Sequence, residues 1–221
     1  MGCVLPRSDI TAEEATSHNM DLLLGYTQIK VERFYKVLSK LANDGKVSCE
    51  GFMRLKEKLA LQGKNPDFVQ QINNFYERVK VDIGNYSVKR LTGLAVLLCK
   101  GSDEEKAAVF YKGIVGEGVK CTEEGIREAF DELFEVCLLV LTGMQIKDEI
   151  NNLSAEDMRR FAFKLRKGKE GAIDLICTRL FSEDSELTEN SFIRKVRDRL
   201  PEGLFTGDGA RKLLKDKATK C

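Results

Sequence analysis

One short pattern recurs along this chain between segments of helical periodicity. In Lys40–Phe52 a glycine, Gly45, is followed two places later by Val47 and then by Ser48. Glycine tolerates the left-handed backbone of a tight turn, a β-branched residue favours extended backbone, and serine is a preferred helix N-cap. The pattern therefore predicts a turn, a short extended segment and the start of a new helix.

The pattern returns around Tyr86 and, with less agreement, around Val119 and Leu187. Val47 and these three residues are separated by 39, 33 and 68 positions, and 68 is close to two units. A spacing of this size is typical of a repeated supersecondary element. We therefore expect an all-α fold of helix pairs with short β pairings between loops, including a pairing of the segments that carry Val47 and Tyr86.

Composition and charge exclude several classes of protein. The 36 Lys and Arg residues balance 35 Asp and Glu residues, so no bulk field attracts nucleic acid and we expect no nucleic-acid partner. The seven cysteines form no Cys-x-x-Cys pair and no secretory signal precedes them, which favours a reduced, cytoplasmic setting. No apolar run approaches the roughly 18 residues that a membrane span needs.

The first residues indicate lipid attachment. Gly2 becomes the amino terminus once Met1 is removed, but a myristoyl chain alone gives only marginal membrane binding. Palmitate on Cys3 would supply a second anchor. Pro6 stands where the usual motif has Ser or Thr, so an unmodified terminus is the alternative. The sequence thus predicts a protein on the cytosolic face of a lysosomal, other endomembrane or plasma membrane.

The turns have the length of a calcium-binding loop, which needs oxygen ligands at positions 1, 3, 5, 7 and 9, glycine at 6 and a bidentate glutamate at 12. With Gly45 at position 6, positions 1, 3 and 12 carry Lys40, Ala42 and Gly51 and lose their ligands. The loop around Gly84 has no acidic ligand. We therefore expect no tight calcium site in either loop.

The other two loops retain little more. With Val119 at position 8, only Glu123 survives near position 12. With Leu187 at position 8, the loop contains Asp184 and Glu186, which are weak candidate metal ligands. A solvated acidic turn is the competing interpretation. We expect no resident cofactor, and weak calcium binding in this last loop is the alternative.

The repeated pattern resembles a degenerate EF-hand array of the calcineurin B and neuronal calcium sensor kind, whose members also begin with an acylated glycine. Leu97-Leu-Cys-Lys-Gly-Ser-Asp-Glu-Glu-Lys106 is similar to a Leu-Leu-Lys-Gly-x-x-Glu-Glu-Lys segment in the amino-terminal region of myristoylated TLDc-domain proteins, the mTOR-associated, lysosomal kind. Phe192–Phe205 is similar to the stretch that leads into the TLDc domain. The chain ends at Cys221, so we expect no TLDc activity.

The resemblance implies EF-hand-like helix–loop–helix repeats arranged as two lobes. We expect four parts: a lipidated or flexible amino terminus at 1–20, an EF-hand-like pair at 21–101, a carboxy-terminal EF-hand-like lobe at 102–205, and a helix and tail at 206–221. EF-hand lobes commonly hold an amphipathic partner helix in an apolar groove. The residues predicted to line such a groove are apolar and recur at helical spacing: Phe52, Phe75, Leu91, Phe130, Phe134, Leu138 and Phe192.

Catalysis is not expected. His18, the sole histidine, has no partner at metal or triad spacing and is interpreted as a solvated loop residue. Cys49 and Cys121 lie at predicted helix starts, where a thiolate is favoured, but neither has a histidine partner. The sequence predicts a membrane-anchored adaptor that binds a partner protein. A calcium sensor that regulates an enzyme or channel, and a structural helical component of a larger assembly, are the alternatives.

Overall fold

The computed structural model describes residues 10–61, 68–144 and 153–219, and these are mostly helical, as predicted. Their α-helices are α1 (Ala12–Leu23), α2 (Val31–Leu41), α3 (Cys49–Leu59), α4 (Val69–Val79), α5 (Val88–Leu98), α6 (Asp103–Phe110), α7 (Glu123–Gly143), α8 (Ala155–Arg166), α9 (Lys169–Leu180), α10 (Glu189–Arg199) and α11 (Gly207–Ala218). The strands are β1 (Lys46–Ser48), β2 (Lys80–Asp82), β3 (Asn85–Ser87), β4 (Cys121–Thr122) and β5 (Glu186–Leu187).

The first two helix–turn–helix units are joined by a small antiparallel sheet of order β1-β3-β2. Val47 in β1 lies opposite Tyr86 in β3, which confirms the predicted pairing. Both side chains are buried, because the strands turn them towards the helices. Strand β1 connects α2 to α3, and the β2–β3 hairpin connects α4 to α5, so one sheet positions four helices.

A second pair of units is joined by β4 and β5, where Cys121 lies opposite Leu187. The prediction that Val119 takes this place was wrong by two residues: Val119 is 55% exposed, whereas Cys121 is 3% exposed. A π-helical turn, Tyr111–Gly116, follows α6 and lengthens the connection before the strand. With Cys121 in place, the four strand residues are separated by 39, 35 and 66 positions.

Strands β1, β3, β4 and β5 each lead directly into a capped helix. In every case a hydroxyl oxygen accepts the backbone N–H three residues later, which satisfies one of the free donors at the helix start. The four caps are Ser48, Ser87, Thr122 and Thr188. Four residues after each cap, a buried apolar side chain enters the core: Phe52, Leu91, Ile126 and Phe192. The four units therefore share one local design.

Helix α7 is the centre of the hydrophobic core. It has 21 residues and packs against α5, α8 and α9. The contact with α5 is close because Gly93 faces Val136, where a Cβ atom would come within 3.3 Å of the valine methyl. The core is therefore continuous from the first pair of units to the second.

The two ends of the described chain pack together on this core. Helix α1 begins at Ala12 after a capping box at Thr11, so the part of segment 1–20 from Ala12 onward is helical. It lies antiparallel to α11, because Glu14 pairs with Lys215 at one end and Asp21 with Arg211 further along. None of the helices in the described ranges is long and apolar enough to span a membrane.

Candidate functional site

The four interhelical turns form the candidate site, and all four lack the carboxylate of a calcium loop at position 12. With the paired strand residue at position 8, position 12 carries Gly51, Arg90, Gly125 and Ser191. The backbone N–H of each of these residues donates to the hydroxyl at position 9. The position 9 oxygen thus serves as a helix cap in every turn.

The fourth turn contains a cation supplied by the chain itself. Lys195, on α10, is 3% exposed. Its Nζ lies 2.7 Å from Oδ2 of Asp184 and also donates to the backbone carbonyl of Leu180. Leu180 and Asp184 are positions 1 and 5 of the turn, so a lysine ammonium bonds the carboxylate at position 5 and the backbone carbonyl, not a side-chain ligand, at position 1.

A second cation of α10, Arg199, contacts side-chain oxygens of two further residues in this turn. Arg199 donates to Oγ of Ser182, at position 3, and its Nη2 lies 2.8 Å from Oε2 of Glu183. Glu186, the other weak candidate ligand, instead lies 3.7 Å from Nζ of Lys120. Asp184 and Glu186 therefore face different lysines and do not converge on one point.

The hydrogen bond from Lys195 lowers the pKa of Asp184. Because this folded-state pKa lies below the unfolded value, the pair stabilises the fold above that value and loses its effect as the pH falls. Replacing Lys195 with methionine is expected to raise the pKa of Asp184 towards its ordinary value of about 4. An NMR titration of the side-chain carboxyl carbon measures it.

The matched control is Lys164→Met, because Lys164 is an exposed lysine on α8, a helix that does not carry the fourth turn. This variant is expected to leave the pKa of Asp184 unchanged. An Asp184 pKa that stays low in Lys195→Met would contradict the role given to the lysine ammonium.

The seven side chains predicted to line a partner groove lie in the core, and none is more than 1% exposed. Around Phe110 the ring centroids of Phe130 and Phe192 lie at 4.8 and 5.8 Å. Phe205, from the segment between α10 and α11, adds a third ring at 5.3 Å. The chain therefore fills with its own side chains the space in which a partner helix was expected.

Two other buried cations, Arg211 and Lys106, also have only weak sequence signals. Arg211 is 3% exposed and forms a two-pronged ion pair with Asp21, and its Nη2 lies 2.8 Å from Asp208. The Nζ of Lys106 donates to the carbonyl of Phe205 at 3.0 Å. Both residues are next to apolar residues of their helices in the sequence. This neighbourhood is the one sequence signal that could have indicated that their side chains are buried.

The residues considered for catalysis have other local roles. His18 is in α1, not in a loop, and its Nδ1 lies 3.0 Å from Oδ2 of Asp208. Burial raises the pKa of Cys121 to about 11, so this thiol is protonated at neutral pH although it stands at a helix start. Cys49 is half-buried. Within the described ranges, no group of three or more His, Cys, Asp or Glu side chains is arranged to hold a metal ion.

Gly2 and Cys3, the predicted lipidation sites, lie outside the described residues. Comparison of the chain with protein-family models, with curated proteins and with solved structures finds no match.

Proposed function

We propose that this chain is a membrane-anchored, non-catalytic adaptor whose EF-hand-like units bind a partner protein with little or no use of calcium. The observation that carries the proposal is the ammonium group of Lys195, bonded to Leu180 and Asp184 at loop positions 1 and 5. An internal cation at these positions supports a frame that is used for architecture.

The ligands that a calcium ion requires also make calcium binding in this turn unfavourable. Calcium takes six to eight oxygen ligands, usually with several carboxylates. In the fourth turn the Asp184 carboxylate is neutralised by Lys195, and Ser191 stands at position 12. A calcium ion would have to displace a buried ammonium at short range and would gain few charged ligands in return.

A frame without a metal switch stays in one arrangement. Sensor units open when calcium binds and expose an apolar groove. In this chain the corresponding side chains, such as Phe130 and Phe192, are packed around Phe110 together with Phe205. We therefore infer a constitutive adaptor whose partner contacts an outer surface, not a sensor that exposes its core on demand.

Calorimetric titration of the full-length protein with calcium at low ionic strength tests this proposal. The expected result is no binding at micromolar calcium, because Lys195 and the missing carboxylates oppose it. Micromolar binding together with exposure of apolar surface, detected with a fluorescent hydrophobic dye, would contradict the adaptor and support a calcium sensor.

The anchor is tested separately by the intact mass of the protein purified from its native cells. The mass expected is that of the chain without Met1 plus a myristoyl group on Gly2, with palmitate on Cys3 that is lost on treatment with hydroxylamine. An unmodified amino terminus would contradict the anchor and leave a structural helical component as the better interpretation.

A further inference from the structure

Helix α8 carries an exposed phenylalanine on its outer face. Phe163 is 64% exposed, although the neighbouring Phe161 and Leu165 are buried against the core. Arg160 and Lys167 lie three residues before and four residues after Phe163, which places all three on one side of the helix. Lys164 is adjacent and also exposed. We call Arg160, Phe163, Lys164 and Lys167 the α8 patch.

The positive charge of the α8 patch is only partly neutralised. Arg160 lies 3.5 Å from Glu156 in the preceding turn. The Nζ of Lys167 lies over the ring of Phe163, 5.3 Å from its centroid. Within the described ranges neither Lys164 nor Lys167 forms an ion pair with an acidic side chain. The patch thus combines an aromatic ring with unneutralised ammonium groups on a convex surface.

The α8 patch lies at the same end of the molecule as the start of the described chain. Gly168, directly after α8, allows the backbone of α11 to approach, because a Cβ atom there would overlap the carbonyl oxygen of Leu214. The next residue of α11, Lys215, lies 2.7 Å from Glu14 in the first turn of α1. The first turn of α1 therefore lies near the carboxyl end of α8.

We propose that the α8 patch is a docking surface for an anionic lipid bilayer. A phenylalanine ring can enter the boundary between headgroups and acyl chains, while lysine and arginine side chains attract anionic headgroups. The convex outer face of one helix fits a broad surface, and the charge of the patch is complementary to anionic lipid. The inference deepens the proposed function, since it adds a contact beside the predicted acyl anchor, but the patch acts without the acyl chain.

The test uses full-length protein produced in bacteria that lack an acyltransferase for Gly2, with the unmodified terminus checked by intact mass. Co-sedimentation is measured with phosphatidylcholine vesicles that contain or lack phosphatidylserine. The expected result is binding that requires phosphatidylserine and weakens as salt is added, because screening reduces attraction between exposed charges. The triple variant Phe163→Ser, Lys164→Glu, Lys167→Glu is expected to bind phosphatidylserine vesicles at least about tenfold more weakly.

The control variant makes the same change of charge at exposed residues of α3. Met53 and its neighbour Arg54 are exposed there, and Lys58 is exposed four residues after Arg54, so the variant Met53→Ser, Arg54→Glu, Lys58→Glu removes one apolar side chain and reverses two charges. It is expected to retain most of the binding to phosphatidylserine vesicles. Circular dichroism checks that both variants are folded.

Three results would overturn the proposal: equal binding to both kinds of vesicle, equal loss of binding in the α3 variant and the α8 variant, or no binding to either kind of vesicle. These results concern the patch alone, because the protein tested carries no acyl chain. An unmodified Gly2 in the native protein would remove the anchor of the proposed function and leave the vesicle result unaffected.

Discussion

Replacing Arg211 with methionine is expected to lower the free energy of unfolding by about 3–5 kcal/mol, the usual cost of removing one partner of a buried ion pair. The guanidinium and the carboxylate of Asp21 are both almost fully enclosed between α1 and α11. Without Arg211, the Asp21 carboxylate would be buried without a counter-ion. Urea denaturation followed by circular dichroism measures the change.

Two further variants separate the ion pair from the loss of packing. The double variant Asp21→Asn, Arg211→Met is expected to recover a large part of the lost stability, because it removes the unpaired buried charge. Arg197→Met removes an arginine that is paired with Asp198 on the surface and is expected to leave the free energy of unfolding nearly unchanged. A loss from Arg211→Met as small as the loss from Arg197→Met would contradict the buried pair between α1 and α11.

Phe192→Ala is expected to cost about 3–5 kcal/mol, the range found when a buried phenylalanine is truncated in a core. Phe192 has no exposed surface, and its ring lies near those of Phe110 and Tyr111, with centroids at 5.8 and 5.4 Å. The same residue was predicted to line a partner groove. Denaturant unfolding of the free protein distinguishes these roles, because a residue that lines an open groove contributes little to the stability of the free chain.

Phe163→Ala is the matched control, since it makes the same chemical change at an exposed position of α8. It is expected to change the stability by less than about 0.5 kcal/mol. If Phe192→Ala lowered the stability as little as Phe163→Ala, the space around Phe110 would be open in solution. This result would contradict a core that the chain fills with its own side chains.

Local turn chemistry accounts for the parts of the fold that could be predicted. Gly45 and Gly84 have positive φ angles, Val47 pairs with Tyr86, and Ser48 caps the following helix, as the sequence indicates. These features depend on a few neighbouring residues, so a single sequence contains enough information. The third turn was misplaced because the π-helical turn after α6 changes the count of residues, and nothing in the composition of Tyr111–Gly116 predicts this.

Burial by distant parts of the chain could not be predicted in the same way. The periodicity of Phe130 and Phe134 shows that one face is apolar, but it does not say whether a partner or the chain itself covers that face. Here Phe205 and α11 contribute to the cover, from positions far along the sequence. The contacts of Lys195 with Asp184 and Leu180 could not be predicted either, because they depend on how α10 packs against α9.

Thermal unfolding of the full-length protein, in excess calcium and in a calcium chelator, tests most directly whether the helix–turn–helix frame stands without a metal. The same unfolding midpoint is expected in both conditions. A sensor-type site at about 100 times its Kd in free calcium would add about 2.7 kcal/mol of stability. For a chain of this size, that stabilisation would raise the midpoint by roughly 5–10 °C, and such a rise would contradict the account.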